Sequence, residues 1–165
     1  MSAEVTIRPA AEADLTFLRQ MLYEAAYWRG APRPDLEGGL AYPVLSKLLA
    51  GWGRAGDLAV VAEAAEEPVG AAWLRFWSDV DHSFGYVAPE VPEIGIGVAA
   101  AYRQRGIGRL LMTRLLGEAA RAGTLRVSLS VERDNPALHL YESLGFETVG
   151  ELGSACTMVA ETRHA

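Results

Sequence analysis

The chain has 165 residues, half of them hydrophobic, and a formal net charge of −6. This length suits a single domain with a sizeable core, and the hydrophobic content excludes a disordered chain. The acidic balance excludes a general nucleic-acid binder, which needs a broad basic surface. One cysteine, Cys156, excludes an intrachain disulfide and a cysteine-rich metal site. The three histidines, His82, His139 and His164, show no metal-ligand spacing.

Val5 to Arg8 reads as a short strand ended by Pro9. Ala11 to Tyr27 follows with Leu15, Leu18, Leu22 and Ala25 on one helical face. Its end carries Tyr23, Tyr27 and Trp28, then the breaker run Gly30 to Pro34. Aromatics beside such a loop either line a substrate pocket or cap the core. A second helix is expected within Leu36 to Ala50, closed by Gly51-Trp52-Gly53. Asp57–Glu63 and Pro68–Trp77 read as strands joined by a hairpin-type connection over Ala64 to Glu67. Asp79 to Gly85 is polar.

Val91–Val98 reads as a buried strand and Ala99–Arg105 as a polar loop. A helix then opens near Gly106-Ile107-Gly108 and continues through Leu110, Leu111, Leu115 and Leu116. Leu125–Glu132 alternates, with Leu125, Val127, Leu129 and Val131 on one face and Arg126, Ser128, Ser130 and Glu132 on the other. Asn135-Pro136 opens a helix with Ala137, Leu140, Tyr141 and Leu144 on one side, ended by Gly145. Phe146–Gly150 and Ala155–Ala160 read as the last strands. The order βααβββαβαββ predicts an α/β fold with one central sheet and helices on its faces. The passage from 91 to 132 predicts a right-handed parallel crossover. No leader pattern and no run of about 20 apolar residues is present, so a cytoplasmic protein without a membrane partner is expected.

The glycine-rich centre has competing readings. Gly95-Ile96-Gly97-Val98-Ala99-Ala100 spells a dinucleotide fingerprint, but its glycines lie inside the strand rather than at a strand-to-helix turn. A P-loop is excluded by the absence of GxxxxGK[ST]. Arg103-Gln104-Arg105-Gly106-Ile107-Gly108 fits a phosphate turn. It stands between a strand and a helix start, where unpaired amides and the macrodipole favour an anion. Arg103, Arg105 and Arg109 add local positive charge.

The same six residues resemble the [QR]xxGx[GA] motif of the GNAT superfamily of N-acetyltransferases. That family's companion pattern is an asparagine followed by AxxLYxxxGF. Here it runs from Asn135 through Ala137 to Phe146, with Asn135 one residue closer to the alanine than in the commonest spelling. The order of strands and helices agrees over nearly the whole chain. The resemblance implies a single GNAT-like domain over residues 1–165, with a mixed sheet of about seven strands whose fourth and fifth, Val91–Val98 and Leu125–Glu132, splay apart. It implies acetyl-CoA as co-substrate and an amine-bearing acceptor, either a small molecule or a peptide. No metal and no nucleic-acid partner are expected from the composition, and homodimers are common in the family.

The resemblance also implies site residues. Ile96, Gly97 and Val98 would pair with the pantetheine arm as an added strand does. The amides of about 104 to 109 (Gln104, Arg105, Gly106, Ile107, Gly108 and Arg109), with Arg103, would take the pyrophosphate. Acetyl transfer to an amine passes through a tetrahedral oxyanion, for which backbone donors near Val98 are placed. Tyr141 would protonate the departing thiolate, or else is a core aromatic. Asn135 would touch the cofactor, cap its helix, or both. Glu93 is the first candidate for general base, with His82 and Asp81 as alternatives. Asp79, Asp81 and Glu90 would suit a cationic acceptor. Cys156 reads as packing. A different class remains open: a module that binds acetyl-CoA without turnover.

Overall fold

In the computed structural model, which describes residues 4–163, the alternating segments form strands and the 3.6-periodic segments form helices. The elements are β1 (Val5–Pro9), α1 (Leu15–Ala26), α2 (Leu36–Leu40), α3 (Pro43–Ser46), β2 (Leu58–Ala64), β3 (Glu67–Arg75), β4 (Glu93–Val98), α4 (Ile107–Arg121), β5 (Arg126–Glu132), α5 (Ala137–Ser143), β6 (Glu147–Leu152) and β7 (Ala155–Glu161). The strands form one seven-stranded sheet in the order β1-β2-β3-β4-β5-β7-β6. It is mixed: β1 pairs antiparallel with β2, and β7 antiparallel with β5 and β6, while β4 and β5 run parallel with Glu93 opposite Ser128. This is the α/β architecture expected. His164 lies outside the described residues.

Two local departures from the expected elements, and one expected turn, have physical causes. The single helix expected over 36–50 is two short ones, because Pro43 has no N–H and holds the preceding Tyr42 extended. Pro43 instead opens α3 at its first turn. Strand β4 begins at Glu93, since Pro92 cannot donate to a ladder; its carbonyl accepts from the Ser128 amide at 2.9 Å. The turn between β2 and β3 places Ala65 and Glu66 at φ of 51° and 66°, the left-handed pair that a tight hairpin needs, without glycine.

The chain divides into two compact units. One holds the residues through Trp73 together with Gly95–Leu115, and the other holds Leu74–Ile94 and the residues from Leu116 on. In the first, Leu18, Met21 and Leu22 of α1 pack with Leu40, Leu49, Val61, Ala71 and Trp73. In the second, Val127, Leu129 and Val131 of β5 are buried, as are Cys156, Met158 and Ala160 of β7 and the Tyr141–Phe146 ring pair. Cys156 lies opposite Val131 in the ladder, so it packs. Ser128, on the polar side of the β5 alternation, is fully buried. Among the described residues no helix is long and apolar enough to cross a membrane, and no cluster of His, Cys, Asp and Glu could hold a metal.

Candidate active site

In the first unit, α4 starts at Ile107, one residue later than Gly106. Gly106 adopts φ +81°, and a Cβ built there would meet nothing within 4 Å. Gln104 also takes a left-handed φ, +61°. The backbone thus turns sharply into the helix with an open side at Gly106. The first-turn amides have no partner within the helix, and the macrodipole is positive there. The predicted residues Gln104, Arg105, Gly106, Ile107, Gly108 and Arg109 therefore stand together around the start of α4. The space at Gly106 is one that a side chain would fill and a phosphate oxygen can enter. Ile107 is buried and anchors the turn. Arg105 stacks on the Tyr102 ring, and Arg109 is exposed.

Arg103 has other commitments. Its Nε donates to the Val98 carbonyl at 3.1 Å and its Nη2 to Glu24 Oε2 at 3.0 Å. Glu24 also pairs with Arg33. Val98 O, one of the groups expected to meet pantetheine, is thus held by the first residue of the phosphate motif. The two β4 glycines are required by packing inside this unit. A Cβ on Gly97 would stand 2.3 Å from the Met21 carbonyl oxygen, and one on Gly95 would stand 2.6 Å from the Trp73 ring. Ile96 and Val98 are half-buried. The aromatics at the end of α1 cap the core and hold the following loop: the Tyr23 hydroxyl donates to Pro34 O and Tyr27 to Gly39 O.

In the second unit, Glu93 at the start of β4 accepts the Gly85 amide on Oε2 at 2.9 Å. Burial pushes its carboxyl up from the usual range. The Gly85 bond, Trp77, Ser83 and His82 partly offset that rise. His82 stacks on Tyr86, whose hydroxyl donates to Asp79 and is pushed up to about 12 by that bond. Asp79 is thereby engaged, and Glu90 faces Arg126 at 3.9 Å, so the acidic groups of this loop have partners within the protein. Asp81 bonds Ser78 through its backbone.

Tyr141 on α5 is buried beside Phe146, and burial pushes its hydroxyl up, so it stays protonated at neutral pH. Asn135 caps α5: its Oδ1 accepts the Ala137 amide at 2.9 Å. His139 is exposed, as its position off the apolar stripe predicts. Sequence reasoning missed Glu24, which holds Arg103, and the buried serines near Glu93. Only the small size of Ser83 and Ser128 hinted at burial.

Comparison with known proteins places these features in context. The Acetyltransferase (GNAT) family model matches residues 20–146. The mycothiol acetyltransferase of Corynebacterium glutamicum strain R is 35% identical over 120 residues, covering 72% of this chain and 37% of that protein. The L-methionine sulfoximine/L-methionine sulfone acetyltransferase of Salmonella typhimurium is 29% identical over 154 residues, covering 90% of this chain and 83% of that protein. The chain thus spans only about a third of the length of the mycothiol acetyltransferases it matches. Among solved structures, the PaiA N-acetyltransferase of Thermoplasma acidophilum in complex with coenzyme A superposes with a TM-score of 0.72. It is 21% identical, and the match covers 96% of this chain and 99% of that one.

Proposed function

Because this chain belongs to the acetyltransferase (GNAT) family, we propose that it moves an acetyl group from acetyl-CoA to a primary amine by direct attack through a tetrahedral intermediate. The observation that carries the reading is the turn at 104–109, where left-handed Gln104 and Gly106 lead into the α4 amides with an open side at Gly106. In this reading those amides and Arg105 and Arg109 hold the pyrophosphate. Arg103 orders the loop through Val98 and Glu24. The main chain of Ile96, Gly97 and Val98 receives the pantetheine arm, and an amide near Val98 stabilises the oxyanion.

Only a neutral amine can attack the thioester carbonyl, so its proton must leave first. Glu93 takes that proton. A carboxyl raised by burial is a better match to an ammonium than an ordinary glutamate. When the carbon–sulfur bond breaks, the Tyr141 phenolic proton passes to the thiolate, and the phenolate regains a proton as the acetylated nitrogen sheds its second one to become the neutral amide. Asn135 fixes the start of α5, and hence Tyr141, through its cap. The acceptor is a primary amine on a small molecule or a peptide. Relatives named for different acceptors support both: the L-methionine sulfoximine/L-methionine sulfone acetyltransferase above, and the N-alpha-acetyltransferase RimI of Mycobacterium tuberculosis, 54% identical over 56 residues that cover 33% of this chain and 34% of that protein.

Calorimetric titration with acetyl-CoA tests the first step. Saturable binding to one site is expected, and heats that never saturate would overturn the reading.

A further inference from the structure

Around Glu93, polar atoms from separate segments of the second unit have no partner among the described residues. They are Glu93 Oε1, Ser83 Oγ and Ser128 Oγ, all buried. Ser128 is 0% exposed and Ser83 9%. Ser128 sits opposite Glu93 in the parallel β4–β5 register, so the two side chains rise from the same face of the sheet. Ser83 Oγ stands close enough to favour the charged carboxylate, yet makes no hydrogen bond of acceptable geometry. The loop carrying it is clamped in place. The Gly85 amide bonds Glu93 Oε2, and a Cβ at Gly85 would fall 2.6 Å from that oxygen and 2.9 Å from the Leu129 carbonyl carbon.

Buried hydroxyls and carboxylate oxygens are costly unless partnered, and a converging set of such atoms is what an internal water requires. Two hydroxyls and a carboxylate oxygen supply both donors and acceptors to one water. We propose that a single buried water joins Glu93 Oε1 to Ser83 Oγ and Ser128 Oγ, and that the two serines are positioning residues for the Glu93 carboxyl. The effect on rate rests on the reading of Glu93 as base; the water site does not.

The groups facing Glu93 are His82, Trp77, Ser83 and the Gly85 amide from the 77–85 segment, and the neutral Ser128 from β5. His82 is the titratable one among them. In ¹³C-glutamate NMR of the full chain without substrate, Ser128→Ala and Ser83→Ala should each raise the Glu93 titration midpoint by roughly half a unit to one unit, because a donor to the charged form is lost. Ser83→Thr, which keeps the hydroxyl, should restore it. The alkaline rise of kcat/KM should move with the midpoint while KM for acetyl-CoA stays constant. Unmoved midpoints in both alanine variants would overturn the proposal. If the midpoint moves but Glu93→Gln retains full activity, the base reading fails and the water site stands. Should the variants fail to fold, a high-resolution crystal structure of the native chain decides. Density for one water within hydrogen-bonding distance of all three atoms supports the proposal, and serine hydroxyls bonded to other groups refute it.

Discussion

Two glycines offer a matched pair for testing the phosphate turn. Gly106 and Gly123 have φ of +81° and +88°, and a Cβ at either would meet nothing within 4 Å. Gly106 precedes the first turn of α4, and Gly123 follows its last, where its amide donates to Ala120 O. Alanine in the left-handed region costs about 1–2 kcal/mol at either place. For a chain of this size each kcal/mol lowers Tm by roughly 2–4 °C, so both variants should melt roughly 2–8 °C lower. Only at Gly106 does the new methyl occupy the open side of the helix start. Loss of one charge-assisted bond to phosphate is worth about 1.5–3 kcal/mol, which weakens acetyl-CoA binding roughly tenfold to a hundredfold. Thermal melts and calorimetric titrations on both variants give the comparison. Equal acetyl-CoA affinity in Gly106→Ala and Gly123→Ala would refute the assignment of the turn.

Glu93→Gln should lower kcat/KM by roughly 10²–10⁴-fold and flatten its rise with pH, whose midpoint in the native chain should lie above the ordinary glutamate range. The same raised pKa means that this carboxyl's contribution to stability is full below its unfolded value and is lost as pH rises through its folded value. Glu93→Gln should therefore melt relatively higher at neutral than at acid pH, and denaturation scans across pH read the sign. Tyr141→Phe keeps the ring and loses the proton. Initial rates should show kcat reduced with acetyl-CoA affinity nearly unchanged, and equal loss of both would count against the acid role. Asn135→Ala removes the bond to the Ala137 amide and should cost about 1 kcal/mol of stability, read as a lower denaturation midpoint.

Periodicity carried most of the fold into view. The alternation over 125–132 and the stripe through Leu111 and Leu115 became β5 and α4 because each segment has one face to bury. The break at Pro43 was written in the residue itself, yet the apolar positions around it read as one helix. The turn into α4 was legible because its signal is local: glycines at fixed spacing before an apolar helix. Long-range partners were not. Arg103 meets Glu24 from 79 residues away, and nothing in either neighbourhood announces the other. The same holds for Gly97, whose need for a missing Cβ comes from the Met21 carbonyl on α1. Ser128 stands on the polar side of the β5 alternation, and its full burial is a long-range consequence of packing that the alternation does not carry.

The most direct test of the central claim is release of CoA thiol from acetyl-CoA in the presence of a mixed amine panel: polyamines, aminoglycosides, free amino acids, and peptides with free N-termini or lysines. The account predicts amine-dependent release well above background, with one class of acceptor standing out. Saturable acetyl-CoA binding with no amine-dependent release across the panel would contradict it and favour a module that binds acetyl-CoA without turnover.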